Sequence, residues 1–328
     1  MDAEPAARQG RGRGAQRDDL LAEVATLYYR DRLDQVAISR RVGVSRSTVS
    51  RLLSEALVTG VVEIRIRQPL PLVDDLGRDL ARRFDLRDAQ VLDVRGRSDG
   101  ALERVGRLAG RYLDSILADG DVLAISWGTG VHAVAAGLGR VKSRGVEVVQ
   151  MLGGVGSNDA EVDGTQLALR LADVFGGRCR YLSAPLVVDD EQVATALLRQ
   201  RGIRETLAAA ADADVALVGI GALVPEKSAL LRAGYLSLEG LANLRSLGAV
   251  GDVCGHHFDV GGAMVETELS RRVVAISPAS LRMIPRVMGV VSGVAKAEAI
   301  VGALRARLVN ILVTDDATAR AVLEASES

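Results

Sequence analysis

The sequence predicts an α/β protein in two parts, an N-terminal winged helix-turn-helix followed by a larger, mostly parallel, doubly wound α/β domain. Its 328 residues suffice for about two domains of roughly 150 residues each. A helix, a glycine turn and a second helix are predicted near the N-terminus, and short runs of Val, Ile and Leu alternate with helical patterns farther on. The composition, 48% hydrophobic and 25% charged, excludes a wholly disordered chain.

Charge is divided unevenly along the chain. The formal net charge is −1, but residues 1–67 hold 12 basic and 9 acidic residues, whereas residues 68–328 hold 29 basic and 33 acidic residues. A basic head on an acidic body favours nucleic-acid binding by the head. Lysine is rare, so each of the three is a candidate for a specific role: Lys142, Lys227 and Lys296.

The head is predicted to begin with a tail and a helix. Residues 1–17 are rich in Arg, Gly and Ala without an apolar period, which indicates a disordered tail, or alternatively a basic arm that contacts DNA phosphate. The folded head is predicted over residues 18–68, where Asp18 and Asp19 open an amphipathic helix. One face of this helix carries Leu20, Leu21, Val24, Leu27 and Tyr28.

A helix-turn-helix pattern follows. A short helix with Ile38 and Val42 on its inner face ends at Gly43, where a tight turn needs left-handed backbone. Ser45 is a suitable N-cap for the next helix. The inner face of that second helix carries Val49, Leu52 and Leu53.

The outer side of the second helix is polar and free of acids. Between Arg40 and Arg51 the chain has four arginines and no acidic residue. Arginine can bond guanine in bidentate fashion and Ser or Thr can reach phosphate, so the pattern predicts a helix that enters the major groove of duplex DNA. The predicted DNA contacts are Arg46, Ser47, Thr48, Ser50 and Arg51. A solvated helical hairpin, or a surface for a protein partner, is the alternative.

A short strand and a linker end the head. Val61–Ile66 alternates in side-chain polarity, which is typical of a strand and fits the wing of a winged helix-turn-helix. Pro69 and Pro71 mark a linker. The second domain is predicted over residues 69–328.

The second domain alternates strand and helix patterns. Short Val, Ile and Leu runs separated by helices predict a mostly parallel sheet covered on both faces. The predicted strands are Val122–Ser126, Val146–Leu152, Val215–Gly219, Val273–Ser277, Gly289–Ser292 and Asn310–Thr314.

Glycine-rich segments follow three of these strands. In parallel sheets, ligands bind beyond the carboxyl ends of the strands, where glycine lets backbone amides approach an anion. The segments therefore predict a site for a phosphorylated or polyhydroxy ligand, and its predicted residues are Ser126, Trp127, Gly128, Thr129, Gly130, Gly153, Gly154, Gly219 and Gly221.

Two charged residues are predicted to complete this site. Lys296 follows a strand near the start of a helix, where its ammonium can pair with phosphate. Asp252, in a Gly-Asp-Val-Cys-Gly segment, can accept hydrogen bonds from ligand hydroxyls. A surface lysine and a turn aspartate are the structural alternatives.

Other chemistries lack their patterns. The chain has neither the glycine signature of a dinucleotide site nor a P-loop, and the segment from Cys254 to His257 has no persuasive fourth metal ligand. We therefore predict no cofactor, no metal and no catalytic residue. Two cysteines without pair spacing, and no signal-type apolar stretch, predict a cytoplasmic protein. The longest uncharged run, Val122–Gly139, contains several glycines, so we predict no membrane span.

The motifs, taken in order, resemble those of SorC/DeoR-type bacterial sugar-responsive regulators. The resemblance runs from about residue 18 to 325 and is carried by Ile38–Leu53, Gly120–Val122, Ser126–Gly130, Gly145–Gln150 with Gly153 and Gly154, Gly234 with Tyr235, Gly251–Gly255 with Phe258 and Asp259, and Ser292–Ile300.

The resemblance implies a winged helix-turn-helix joined to an effector domain similar to sugar-phosphate isomerases, in dimers or tetramers on operator DNA. It implies that a phosphorylated sugar alters DNA affinity, in a pocket matching Ser126–Gly130, Gly153, Gly154, Asp252 and Lys296. The chain departs from some deoxyribonucleoside-responsive relatives, which have a Schiff-base lysine just before the two glycines, because Leu152 stands there. His256 stands where relatives often have a basic or aromatic residue, and His257 stands where they often have an aromatic one.

We therefore expect a non-catalytic transcriptional regulator, a repressor released by its inducer. The alternative is a sugar-phosphate isomerase-like enzyme with a fused DNA-binding head, in which Asp252 and His256 form an acid–base pair.

Overall fold

A computed structural model describes residues 9–62, 70–96, 99–139, 141–155 and 164–327. The chain divides into two compact units, Met1–Pro69 and Leu70–Ser328. In the described part of the chain, no helix combines the length and apolarity needed to cross a bilayer.

The N-terminal unit is helical. It contains α1 (Gln9–Ala25), a π-helical turn (Thr26–Arg30), α2 (Gln35–Val42) and α3 (Arg46–Val58). The apolar faces of these helices meet in a core made of Leu21, Val24, Ala25, Leu27, Ile38, Val49, Leu52, Leu53 and Ala56.

The first helix starts earlier than the sequence indicates. It begins at Gln9, so residues 9–17 are helical where a disordered tail was predicted. At the end of this stretch Arg17 contacts α3, where its Nε and Nη2 donate to the carboxylate of Glu55 at 2.9 and 2.5 Å, a contact that no local pattern reveals. Residues 1–8 of the predicted tail, and residues 63–69 with most of the predicted wing, lie outside the described residues; the part of the wing that is described is a bend.

The C-terminal unit contains two sheets in its described residues. The strands are β1 (Asp88–Leu92), β2 (Val122–Ile125), β3 (Glu147–Gln150), β4 (Arg178–Arg180), β5 (Val215–Gly219), β6 (Gly221–Ala222), β7 (Ala249–Val253), β8 (His256–Asp259), β9 (Val287–Val290) and β10 (Ile311–Asp315). Seven form a parallel sheet in the order β1-β10-β9-β5-β2-β3-β4, and the other three form an antiparallel sheet in the order β6-β7-β8.

Twelve α-helices lie in the described part of this unit. They are α4 (Asp74–Phe84), α5 (Ala101–Ile116), α6 (Thr129–Gly137), α7 (Gly164–Val174), α8 (Glu191–Arg199), α9 (Arg201–Ala211), α10 (Ala229–Arg232), α11 (Leu238–Ser246), α12 (Glu268–Arg271), α13 (Pro278–Met283), α14 (Ala297–Arg305) and α15 (Asp316–Ala325). The residues of β9 and β10 are buried throughout, as expected for inner strands covered on both faces. The mostly parallel α/β domain is thus confirmed.

One predicted strand is wrong. The run Val273–Ser277 forms isolated bridges instead, Val273 with Val187 and Ala275 with Leu152. Its amides bond to loops that follow other strands, Val274 N to Leu186 O at 2.8 Å and Ile276 N to Met151 O at 2.7 Å. The run is therefore apolar because it crosses the buried end of the sheet.

Candidate functional site

A cavity lies at the carboxyl ends of β2, β5 and β9, beside the antiparallel sheet. We call it the effector cavity. It is lined by Leu102, Ser126, Trp127, Gly128, Thr129, Gly130, Leu152, Leu186, Gly219, Ile220, Gly221, Leu230, Arg232, Asp252, Cys254, Gly255, Val290, Val291 and Lys296. The structure therefore brings most of the predicted ligand-binding residues together, although they come from four separate segments of the chain.

The first wall of the cavity is the turn between β2 and α6. The hydroxyl of Ser126 is buried and accepts a hydrogen bond from the amide of Gly219 at 3.1 Å, which joins the turns after β2 and β5. Gly128 has a φ of 125°, a conformation that favours glycine. The amides of a first helical turn have no acceptor within the helix, and α6 has no acidic residue there, so this end favours an anion.

Gly130 sets the position of that helix end. A Cβ on Gly130 would lie 2.2 Å from the carbonyl oxygen of Val290 on β9. Only glycine allows the start of α6 to pack this closely on the strand. The amides of the first turn are therefore held at the edge of the parallel sheet.

The carboxylate of Asp252 forms part of a second wall. It projects from β7, and its Oδ2 accepts a hydrogen bond from the amide of Gly255 at 3.2 Å. A Cβ on Gly221 of the neighbouring β6 would lie 2.0 Å from its Oδ1. The glycine at 221 thus makes room for the carboxylate, which is half-buried at the cavity wall.

Lys296 brings a positive charge to the same cavity. It ends a 3₁₀ turn, Val294–Lys296, and stands at the N-cap of α14. Its Nζ donates to the carbonyl oxygen of Ile220 at 3.3 Å. The ammonium therefore lies near the junction of β5 and β6, where Gly219 and Gly221 line the cavity.

Gly153 and Gly154 do not line the effector cavity. The carbonyl oxygen of Gly153 accepts a hydrogen bond from Trp127 Nε1 at 2.9 Å, and that of Gly154 accepts one from Tyr235 Oη at 3.3 Å. A Cβ on Gly153 would meet backbone atoms of Pro185 at 2.4 Å. These glycines support the wall formed by Trp127, and the expectation that they line the site is corrected accordingly.

Sequence reasoning missed Arg232, which lines the cavity from α10 together with Leu230. Its four-residue helix follows no parallel strand, so no strand-end pattern points to it. The only local signal is a basic residue two positions before Gly234, which has left-handed backbone.

The residues around His256 do not form a metal site or an acid–base pair. Among the described residues, no three His, Cys, Asp or Glu side chains cluster as metal ligands would. His256 pairs with Val253 in the β7–β8 hairpin, so it lies on the opposite face from Asp252, and its Nε2 lies 2.9 Å from the carbonyl oxygen of Ile276. Burial raises the pKa of the Cys254 thiol, so this cysteine is not a thiolate at neutral pH.

The N-terminal unit contains the predicted helix-turn-helix geometry. Asp34 caps α2 through the amide of Ala37 at 2.7 Å, and α2 ends at Gly43 with a φ of 73°. Ser45 caps α3, accepting from the amide of Thr48 at 3.1 Å. Four of the predicted DNA contacts are exposed on α3, namely Arg46, Ser47, Ser50 and Arg51.

Thr48 differs from the other predicted DNA contacts. It is half-buried, whereas the others are exposed, and its Oγ1 lies 2.8 Å from Ser45 Oγ, a contact that the hydroxyl of the exposed Ser47 also makes. Its hydroxyl is therefore already part of the capping turn.

The larger unit matches the model of the sugar-binding domain family Sugar-bind over residues 70–324. The chain belongs to this family. The Sugar-bind match begins where the second compact unit begins and covers the whole effector cavity.

Relatives of this Sugar-bind chain are transcriptional regulators. The chain is 31% identical over 309 residues to the deoxyribonucleoside regulator of Bacillus subtilis (strain 168), covering 94% of this chain and 98% of that protein. It is 34% identical over 309 residues to the transcriptional regulator LsrR of Klebsiella pneumoniae subsp. pneumoniae, covering 93% of each. Over 94% of this chain and 99% of the other, the fold matches the full-length sorbitol operon regulator SorC from Klebsiella pneumoniae, with a TM-score of 0.71 and 29% identity. The resemblance to SorC/DeoR-type regulators is confirmed.

Proposed function

We propose that the chain is a transcriptional repressor whose head binds operator DNA and whose DNA affinity changes when a phosphorylated sugar occupies the effector cavity. One observation carries this proposal: the first turn of α6, the carboxylate of Asp252 and the ammonium of Lys296 meet around one cavity at the end of the parallel sheet. The family match and the regulators named above support it.

The phosphate group binds between the start of α6 and Lys296. The helix start offers amide donors without a nearby acid, and the lysine adds a full positive charge. Arg232 on the opposite segment adds a second cation to the lining. This environment favours a phosphorylated ligand over the corresponding free sugar.

The sugar hydroxyls bind at Asp252. An ionised carboxylate accepts hydrogen bonds only, and hydroxyl groups are suitable donors to it. Because the amide of Gly255 holds one carboxylate oxygen, the acceptor has a defined direction. Hydrogen bonds to a charged acceptor contribute about 1.5–3 kcal/mol each, enough to discriminate among sugars.

Ligand binding alters DNA binding by shifting populations. A ligand that binds one conformation or assembly of the protein more tightly than another increases the population of the first. The size of the shift is set by the difference between the two affinities. We propose that the protein is a cytoplasmic dimer or tetramer that occupies paired half-sites of the operator. The sugar phosphate favours the state that cannot bind the two half-sites at once. This activity needs no catalytic residue.

Replacing Lys296 tests the cavity directly. At about 100 times its dissociation constant, a ligand stabilises the native protein by about 2.7 kcal/mol. In a thermal-shift panel of aldose, ketose and polyol phosphates with their unphosphorylated counterparts, wild type should respond to a phosphorylated member. Lys296→Gln should lose most of this response, because the variant keeps a polar side chain but no charge.

Lys142→Gln is the matched control. Lys142 is exposed, pairs with Asp119 at 3.0 Å and does not line the cavity, so this variant should respond like wild type. Equal responses from the two variants would remove Lys296 from the site. A wild-type protein that responds to no phosphorylated sugar contradicts the proposed ligand class.

A further inference from the structure

The side chain of His257 is buried without a hydrogen-bond partner. It is 1% exposed, and neither ring nitrogen bonds to any described residue. The neighbouring His256, in contrast, has its Nε2 2.9 Å from the carbonyl oxygen of Ile276. A neutral imidazole has one donor and one acceptor, and no described residue bonds to either of them.

The imidazole lies next to a residue of the effector cavity. His257 on β8 is directly opposite Asp252 on β7. Directly opposed residues of antiparallel strands project to the same face, with their Cβ atoms about 4.5–5.5 Å apart. Since Asp252 lines the cavity and His257 does not, the imidazole stands behind the carboxylate.

The charge state of the imidazole fits a donor to a carboxylate. Burial lowers the pKa of His257, while the negative charge of Asp252 acts in the opposite direction. The ring is neutral at pH 7 and has one N–H group. Asp252, directly opposite on β7, is the carboxylate whose charge acts on this ring.

Simple packing does not account for this choice of residue. A phenyl ring is only somewhat larger than an imidazole and leaves no donor unpaired in the interior. Because buried polar groups without partners are rare in native proteins, the polarity of His257 calls for a role in another state of the site.

We infer that His257 is a positioning residue for Asp252, and that it thereby determines which sugar hydroxyls the effector cavity accepts. With ligand bound, the ring N–H donates to the carboxylate, while Gly255 holds the other side of that group. The remaining acceptor positions of Asp252 then point toward a ligand hydroxyl. This inference rests on the proposed function of the cavity.

The test compares sugar phosphates that differ by one hydroxyl. The probes are ribose 5-phosphate with 2-deoxyribose 5-phosphate, and glucose 6-phosphate with 2-deoxyglucose 6-phosphate, measured by calorimetry on the full chain. Wild type should bind the hydroxylated member of at least one pair about tenfold more tightly or better. His257→Phe should reduce that ratio to near one, with little change in affinity for the deoxy compound.

Two further variants separate positioning from structure. His257→Gln keeps a side-chain N–H and should recover most of the discrimination. Asp252→Asn should lose it, and adding His257→Phe to that variant should cause no further loss. The melting temperature of unliganded His257→Phe should stay close to that of wild type, because loss of an unpaired buried donor and the tighter packing of a larger ring act in opposite directions.

The outcomes are distinguishable. If wild type binds both members of each pair equally, or if His257→Phe keeps the wild-type ratio, the role of His257 is refuted while the sugar-phosphate site stands. If wild type binds neither the four probes nor any phosphorylated sugar of the thermal-shift panel, the proposed function itself is refuted, and the inference with it.

Discussion

At the residue scale, the effector cavity depends on a few close backbone approaches. The carbonyl oxygen of Val290 occupies the space that a Cβ on Gly130 would need, and the carboxylate of Asp252 occupies the corresponding space at Gly221. Because Gly130 has no side chain, the start of α6 can pack on the strand. Because Gly221 has none, the carboxylate of Asp252 has room at the cavity wall.

Substituting Gly130 should therefore be costly. In Gly130→Ala, the new methyl group would lie 2.2 Å from a backbone oxygen that cannot rotate away. We expect the free energy of unfolding to fall by about 1–3 kcal/mol, as in other overpacked sites. Urea denaturation of the full chain measures this change.

Gly139→Ala provides the control, since a Cβ there meets no atom within 4 Å. This variant should unfold at the wild-type urea concentration. Equal midpoints for the two variants would contradict the close packing of α6 on β9.

Much of the cavity lining is predictable from local patterns, because glycine after an apolar run marks the end of a parallel strand. Ser126–Gly130, Gly219 and Gly221 share that pattern, and all line the cavity. Arg232 could not be predicted, since only the folded chain brings α10 over the end of the sheet. Gly153 has the strand-end pattern but contacts Pro185, a distant neighbour that the sequence does not reveal.

At the element scale, α3 combines a capped start with an exposed basic face. The cap at Ser45 fixes where the helix begins, and this places Arg46 in the first turn and Arg51 one and a half turns later. Both guanidinium groups are on exposed residues. The helix thus presents two cations to solvent, as the proposed contact with DNA requires.

Removing these cations should weaken DNA binding. In Arg46→Ala/Arg51→Ala, each lost phosphate contact lowers the steepness of log K against log salt by about 0.9. We expect a shallower salt dependence and weaker binding to a duplex selected from a random library by the wild-type protein. Fluorescence anisotropy over a salt series measures both.

Arg30→Ala is the control for this experiment. Arg30 lies in the π-helical turn, its side chain is 80% exposed, and it pairs with Asp31 rather than extending from α3. This variant should keep the wild-type slope. An unchanged slope in the double variant would instead favour a protein partner for this surface.

The elements that sequence reasoning finds are those with strong local periodicity. The inner strands β5 and β9 are continuous apolar runs, and β10 begins with one, because both faces are covered. The edge strand β4 is Arg-Cys-Arg and has no such run, so it was missed. The antiparallel β7 and β8 contain Gly, Asp and His among their apolar residues, so neither has a continuous apolar run, and both were missed for that reason.

At the scale of the whole molecule, the charge split coincides with the division into two compact units. The basic residues of α3 belong to one compact unit, and the effector cavity belongs to the other. A ligand in the cavity can influence DNA only through a coupling free energy between the two sites, typically about 1–3 kcal/mol in allosteric proteins. This coupling is the central claim of the proposed function.

DNA affinity measured with and without ligand tests that claim most directly. With the selected duplex, a saturating sugar phosphate that stabilises wild type should weaken DNA binding by about 5- to 150-fold. Lys296→Gln should bind the duplex normally and show no ligand effect. An equal dissociation constant for DNA with and without bound sugar phosphate in the wild-type protein would contradict the account.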